Sequence, residues 1–547
     1  MNGAEAMIDV LAGSGVRYLF GNPGSTELPL MDALGNERRT EYVLGLQEVP
    51  VMAMADGYAQ ASRSPAVVNL HIACGLGNAM GMLFNSWRSG TPLVVTAGQQ
   101  DRRLMFQEPV LWGDLVSVAR PWTKWAAEVQ RVEDVPSAFR RALQLAVTPP
   151  TGPVFLALPL DVQMEQAEFD LTPARFPDMM VRPSEQALRR AAEVLLGAAN
   201  PAILAGSRVQ ESGAVAELVR VAEALSAPVI QENAAAHGRS SFPSQHPLAG
   251  GVLPLFSPEI RERLAGFDVL LAVGTDVVRQ YIYHEPARPI PEKTKLVHVD
   301  SDPWEIGKNY PVAAAVLGHL KPALAELAEL LRKSVPLERG WSAQHAAARE
   351  ALRREARGQY AARPLTPLAM MDSIARVLPP DAAVVEESPT TTQAYLERAA
   401  YLQDPSGYFA HRGWALGWGM NCAIGVKLAW PERPVLVIAG DGSALYGIQG
   451  LWTAAHYRIP VTFVIANNSE YRILKDCAGV LGLPGAQAGQ FVGMDLTDPA
   501  IDFLALARSF GVDSVRVTEP DELSEAVSAS LAGSAPRLIE VPVRRLS

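Results

Sequence analysis

Between Gly440 and Asn468 two glycines, a carboxylate and an amide stand at the ends of apolar runs, a set of residue types suited to holding a metal-bound phosphate. The stretch reads PVLVIA, Gly440-Asp441-Gly442-Ser443, ALYGIQGLWTAAHYRIP, VTFVIA and Asn467-Asn468. Leu445, Ile448, Leu451, Trp452 and Ala455 recur at helical spacing between two short apolar runs, which predicts a strand, a helix and a strand. A right-handed crossover makes such strands parallel and brings Asp441 and Asn468 to one sheet edge. Gly440 and Gly442 permit a sharp turn and close approach to a ligand, Ser443 can cap the helix, and the N–H groups of its first turn face an anion. Asp441, the Asn468 amide oxygen and a loop carbonyl near Glu470 offer three hard oxygen ligands, and phosphate and water would complete an octahedron around Mg2+. The predicted ligand is a magnesium diphosphate.

Three further chemistry-bearing residues fall in residues 1–180, where strand and helix alternate: RYLF, YVLGL, PAVVNL, PLVVTA and PVFLALP. Alternation of this kind predicts a doubly wound, mostly parallel sheet, with ligands gathered at the carboxyl ends of its strands. Asn22 to Ser25 follow the first strand, Gln47-Glu48 the second and His71 the third, so these should meet on one edge. Glu48 lies two residues before Pro50, at a strand-to-helix junction.

The rest of the chain must position these groups. Residues 185–335 change texture and predict a second α/β domain, with NPAILAG, APVIQ, FDVLLAVG and KLVHVD as strands. Its loops contain no complete dinucleotide fingerprint, so neither FAD nor NAD is expected there. Residues 336–365 are charged and Ala-rich, with Arg349, Arg353, Arg354 and Arg357 among apolar residues, and predict a solvated linking helix. A third domain, 366–547, opens with a helix near Pro367 and the strand AAVVEE, after which Ser388 to Thr392 place hydroxyls at a helix start, suited to a diphosphate.

A length of 547 residues exceeds a single core, and a formal charge of −10 without a basic tract argues against a nucleic-acid binder. Three cysteines far apart form neither a disulfide framework nor a metal-ligand spacing. No apolar run approaches a membrane span and the N-terminus reads as a helix start, so a soluble cytoplasmic protein is expected.

Gly-Asp-Gly followed after 24 residues by Asn-Asn resembles the motif of thiamine diphosphate-dependent enzymes, and within that superfamily the chain most resembles the benzoylformate decarboxylases. The similarity is clearest in Phe20 to Ser25, in ADGYAQAS from Ala55, in VVTAGQQ from Val94 and in LWTAAHYRIP from Leu451. It implies three α/β domains (pyrimidine-binding, central and diphosphate-binding), the first and third sharing a topology. It implies that Glu48 hydrogen-bonds the pyrimidine ring and promotes deprotonation of the thiazolium carbon, and that Ser25 and His71 surround the substrate carboxylate and the reacting centre. Thr390 and Tyr471 would lie near the diphosphate, with Gly440, Asp441, Gly442 and Ser443. Leu416 would wedge under the cofactor, and the carbonyl of Trp414 would receive its amino group. Ile473 and Cys477 would face the substrate. The same resemblance implies a dimer as the minimum active unit, because the cofactor lies between subunits, with a tetramer expected.

Several residues depart from the family pattern. Tyr281 falls where the decarboxylases carry a second active-site histidine, leaving His284 and His411 as candidates to replace it, and Pro389 replaces a hydroxyl residue. His411, Arg412 and Trp414 replace small or neutral residues, and Arg472 replaces a glycine. Arg412 and Arg472 together could receive a second carboxylate or the phosphate of a coenzyme A thioester. The expected activity is non-oxidative decarboxylation of an aromatic or branched 2-keto acid to an aldehyde, with carboligation when the enamine left after CO2 loss captures a second aldehyde instead of a proton. The alternative is an acyloin-forming carboligase, or a lyase or synthase of the 2-hydroxyacyl-CoA lyase or acetolactate synthase type. A binding protein without catalysis fits poorly with the presence of Glu48, Asp441 and Asn468.

Overall fold

Eighteen strands form three six-stranded sheets in a computed structural model that describes every residue except 36, 234–236, 287, 333–339 and 546–547. The first sheet contains β1 (Tyr18–Gly21), β2 (Glu41–Leu44), β3 (Ala66–Leu70), β4 (Leu93–Gln99), β5 (Ala126–Glu128) and β6 (Val154–Pro159), in the order β2-β1-β3-β4-β6-β5. The second contains β7 (Pro201–Ala205), β8 (Val229–Gln231), β9 (Ala249–Val252), β10 (Val269–Val273), β11 (Lys295–Asp300) and β12 (Ala314–Leu317), in the order β12-β11-β10-β7-β8-β9. The third contains β13 (Ala383–Glu387), β14 (Tyr408–Ala410), β15 (Val435–Gly440), β16 (Thr462–Asn467), β17 (Asp513–Arg516) and β18 (Arg537–Pro542), in the order β14-β13-β15-β16-β18-β17. Pairings between these strands are parallel throughout.

Counted from its own first strand, the third sheet repeats the strand order of the first, so the chain is a structural duplication although no sequence repeat announces it. The middle sheet has the doubly wound order of nucleotide-binding folds, reversing between β7 and β10. That crevice is filled by charge pairs: Asp276 meets Arg208 at 2.8 Å, Arg88 at 3.1 Å and Arg412 at 3.1 Å, which draws all three domains together.

The first and third sheets share one core through two crossed helices, Glu48–Ser62 and Trp418–Ala429. Glycines permit the close crossing: a Cβ on Gly57 would sit 2.3 Å from the Cys422 carbonyl oxygen, and one on Gly425 would sit 1.9 Å from that of Met54. The indole N–H of Trp418 donates to buried Asp56 at 2.7 Å across the same crossing. The linking segment forms the helix Trp341–Gly358, with Leu352 and Ala356 buried, and the first part of the expected linker lies outside the described residues. Among the described residues no helix is long and apolar enough to cross a membrane.

The predicted helix after Gly442 is in two pieces, Asp441–Ala444 and Gly450–His456. Between them the chain tightens into i→i+3 turns, with Tyr446 N–H on the Ser443 carbonyl and Gly450 N–H on the Gly447 carbonyl, and the Asn421 amide also donates to the carbonyls of Gly417 and Gly447, both at 2.9 Å. Gly440 is the N-cap and no side chain caps the turn, so Ser443 lies inside it rather than capping it.

Candidate active site

The carboxyl ends of β13, β15 and β16 meet where the third sheet changes direction, the position at which parallel sheets bind ligands. A cavity of about 660 Å³ opens there. Ser388, Pro389, Thr390 and Thr392 line it from the turn after β13, Gly440 to Ser443 from the turn after β15, and Asn468, Glu470 and Tyr471 from the turn after β16. Asp441 is buried; its Oδ1 accepts from the Gly442 N–H at 2.9 Å and its Oδ2 from the Ser469 N–H at 2.7 Å. Burial, helped by the charge of Glu470, pushes its pKa up to about 6. Asn468 turns its amide oxygen toward the Glu470 N–H at 3.1 Å. The Glu470 carboxylate is held by Lys475 at 2.6 Å, so the donor expected from this residue is its main-chain carbonyl. Gly442 has no room for a side chain, since a Cβ would lie 2.6 Å from the Tyr471 ring.

The other catalytic candidates sit at the carboxyl edge of the first sheet and are not among the residues lining this cavity. Glu48 opens the helix Glu48–Ser62, is 5% exposed, and accepts from Asn78 Nδ2 at 3.0 Å and Asn22 Nδ2 at 3.4 Å. His71 precedes the helix Ile72–Ser89, with Nδ1 2.8 Å from Glu27 Oε2 and 3.4 Å from the Thr26 hydroxyl. Gly24 is required beneath the imidazole, because a Cβ would fall 2.0 Å from Nδ1. Ile72, fully buried and β-branched, holds φ at +39°, a strained conformation of the kind found beside functional groups. Ser25 is exposed at the start of the short turn Ser25–Glu27.

Trp414, Leu416, Tyr281, His411, Arg472 and Ile473 all line the cavity. His411 is buried and its Nδ1 accepts the Trp414 N–H at 2.9 Å, which places its proton on Nε2, 3.8 Å from Glu387 Oε1. Burial pulls the His411 pKa down to about 4, so the ring is neutral. Glu387 ends β13, accepts from the N–H groups of Trp418 at 3.0 Å and Gly419 at 2.9 Å, and is pushed up to about 8 by burial. Cys477 is buried and is not among the residues lining the cavity, and His284 lies outside it too, with Nδ1 3.1 Å from the Glu285 carbonyl. The expected arginine pair does not form in the cavity. Asp276 draws buried Arg412 into the central crevice, whereas Arg472 pairs with Asp476 at 2.9 Å.

Residues 1–110 match the thiamine pyrophosphate enzyme N-terminal TPP binding domain, 188–327 the central domain and 390–541 the C-terminal TPP binding domain. The chain belongs to the thiamine pyrophosphate enzyme family. It is 38% identical to benzoylformate decarboxylase of Pseudomonas aeruginosa, over 99% of both chains, and 28% identical to the acetolactate synthase isozyme 3 large subunit of Escherichia coli, over 97% of this chain and 92% of that one. Among solved structures, a thiamine diphosphate-dependent 4-hydroxybenzoylformate decarboxylase of Rhodococcus jostii is 34% identical with a TM-score of 0.88, covering 100% of this chain and 99% of the other. The benzoylformate decarboxylase of Polynucleobacter necessarius is 31% identical with a TM-score of 0.89 over the whole of both chains.

The residues at the turns after β15 and β16 suit a hard divalent cation. Asp441 is a buried carboxylate paired with no cationic side chain among the described residues, and it stands beside amide and carbonyl oxygens, the hard donors that Mg2+ prefers. Among the described residues no cluster of three or more His, Cys, Asp or Glu offers a rival metal site. Sequence reasoning missed Glu27, which backs His71, and Asn85, which clamps Ala415 through both its amide atoms at 2.8 and 3.0 Å. It also missed Glu387, although two acids ending an apolar strand before a turn were a visible signal.

Proposed function

We propose that this chain uses thiamine diphosphate and Mg2+ to decarboxylate a 2-keto acid with an aromatic or branched side chain, and either releases the decarboxylated fragment as an aldehyde or joins it to a second aldehyde when one is present. The observation that carries this reading is one cavity in which the Asp441–Asn468 cradle adjoins an apolar wall of Leu416, Trp414, Tyr281, Ile473 and Leu474. An apolar wall suits a monocarboxylate with a hydrophobic side chain, and Arg472, held by Asp476, adds no unpaired charge.

When bound, thiamine diphosphate supplies a carbon nucleophile for the keto carbonyl and an electron sink for the pair released with CO2. The chain's own residues do the rest. Asp441, Asn468 and the Glu470 carbonyl hold Mg2+, while the N–H groups from Gly440 to Ser443 and the Thr390 hydroxyl bind the diphosphate, with Tyr471 beside it. Leu416 would pack against the cofactor, and the Trp414 carbonyl would accept from its amino group. Glu48, dry and oriented by Asn22 and Asn78, would hydrogen-bond the pyrimidine ring nitrogen. Ser25 orients the substrate carboxylate. His71, backed by Glu27, moves the proton that replaces CO2, since each keto acid anion consumes one proton on becoming an aldehyde.

Glu48, Ser25 and His71 do not line the cavity of their own chain, which supports a homodimer as the active unit, each cavity completed by the partner's first domain; a tetramer of two such dimers and a cytoplasmic location complete the reading. A carboligase or lyase of the acetolactate synthase type is the second reading, favoured by Tyr281 in the cavity wall while His284 lies outside it. Product analysis decides. With thiamine diphosphate and Mg2+, the expected outcome is aldehyde and stoichiometric CO2 from a 2-keto acid alone. Hydroxyketone alone, or no CO2 from benzoylformate, pyruvate or branched 2-keto acids, would move the assignment to the second reading.

A further inference from the structure

We propose that Trp414, supported by Tyr281, is the specificity-determining wall of the cavity and selects 2-keto acids whose side chain is a planar aryl group. The proposal rests on the decarboxylase reading and narrows its substrate class from aromatic or branched to aromatic.

Trp414 holds φ at +64°, in the left-handed region that favours glycine. A bulky residue keeps such a backbone only when its surroundings enforce it. Here all three domains do so. The Trp414 N–H donates to His411 Nδ1 at 2.9 Å within the third domain. Asn85, fully buried in the first domain, accepts from the Ala415 N–H at 3.0 Å and donates to the Ala415 carbonyl at 2.8 Å. Arg279 of the central domain donates to the Arg412 carbonyl at 3.3 Å. Gly413 has no space for a side chain, because a Cβ would lie 2.3 Å from Asn85 Oδ1. The indole is therefore carried on a fixed peptide whose unfavourable conformation aims it into the cavity.

Its partner comes from another domain. The Tyr281 ring centroid lies 4.7 Å from that of Trp414 at 42°. Around this pair the wall continues with Leu416, Ile473 and Leu474. A planar aryl group laid against such a surface gains offset or edge-on π contact in addition to burial, which a branched aliphatic group does not.

The test compares benzoylformate with 3-methyl-2-oxobutanoate as substrates of the holoenzyme, in wild type, Trp414→Gly, Trp414→Phe and Tyr281→Ala. Glycine adopts the Trp414 backbone without strain, so Trp414→Gly removes the ring and keeps the peptide; an unchanged or raised Tm checks this. Wild type is expected to favour benzoylformate, and Trp414→Gly to lose about tenfold of that preference, mainly in KM, while Trp414→Phe retains most of it. Tyr281→Ala shifts the ratio in the same direction by less. In parallel, calorimetry with mandelate, an aryl 2-hydroxy acid that cannot be decarboxylated, is expected to show about tenfold weaker binding to Trp414→Gly. A wild-type preference for the branched acid, an unchanged ratio, or equal losses on both acids would overturn the proposal. If no 2-keto acid releases CO2, the decarboxylase reading fails separately, and mandelate affinity still decides the role of Trp414: unchanged binding refutes it.

Discussion

Asp441 is dry, accepts two main-chain N–H groups and has no cationic side chain beside it among the described residues, so burial disfavours its charged form. Its folded pKa, about 6, exceeds the ordinary carboxylate value, so between about 4 and 6 the folded chain binds more protons than the unfolded one. Stability from this group is thus full at low pH and is lost as pH rises through 6. Metal binding runs the other way, because Mg2+ competes with that proton. Titration calorimetry of Mg2+ with thiamine diphosphate should show affinity flat above about pH 6.5 and falling roughly tenfold per unit below 6. Affinity indifferent to pH down to 5 would remove Asp441 from the metal. Glu48 carries a separate prediction. Glu48→Ala should lower kcat by about 10³-fold or more and leave cofactor affinity within a few-fold, as measured by steady-state rates and calorimetry. Substantial residual turnover would contradict its assigned role.

The crossing of helices Glu48–Ser62 and Trp418–Ala429 ties the two cofactor-binding sheets of a chain together, and it depends on absent side chains. Gly57→Ala or Gly425→Ala inserts a methyl group against main-chain oxygen that cannot yield. The helix-propensity gain of up to ~1 kcal/mol is then outweighed, and a net loss of about 1–3 kcal/mol is expected in urea unfolding. A stability equal to wild type would show that the helices separate without cost. How far such elements could be read from sequence follows burial. The interior strands β1, β3, β4, β6, β7, β8, β10, β11, β13, β15, β16 and β18 read as apolar runs because both their faces are covered. The strands sequence reasoning missed, β5, β9, β12, β14 and β17, are all at sheet edges; AAE, AGGV and DSVR carry too little apolar pattern to announce a strand. The same logic applies to the site. Asp441, Asn468, Glu48 and His71 were legible as polar residues ending apolar strands. Asn85 was not, because its significance lies in Ala415, 330 residues away, and nothing local to it marks that contact.

At the scale of the molecule, one topology is used twice, and on the proposed function the two copies would supply complementary halves of a site. The carboxyl edge of the third sheet carries Asp441 and Asn468, and that of the first carries Glu48, Ser25 and His71, yet among the described residues the cavity of a chain is lined from its third and central domains. In a two-fold dimer the first domain of one chain would close the cavity of the other, giving two composite sites. Mixing inactive chains tests this directly. A Glu48→Ala chain keeps its cradle and an Asp441→Ala chain keeps its Glu48, so a mixed dimer contains one intact site and one doubly defective site. Random pairing on co-expression should restore about a quarter of wild-type turnover although each variant alone is inactive. A site contained within one chain would give no recovery, since every chain in the mixture lacks one essential group.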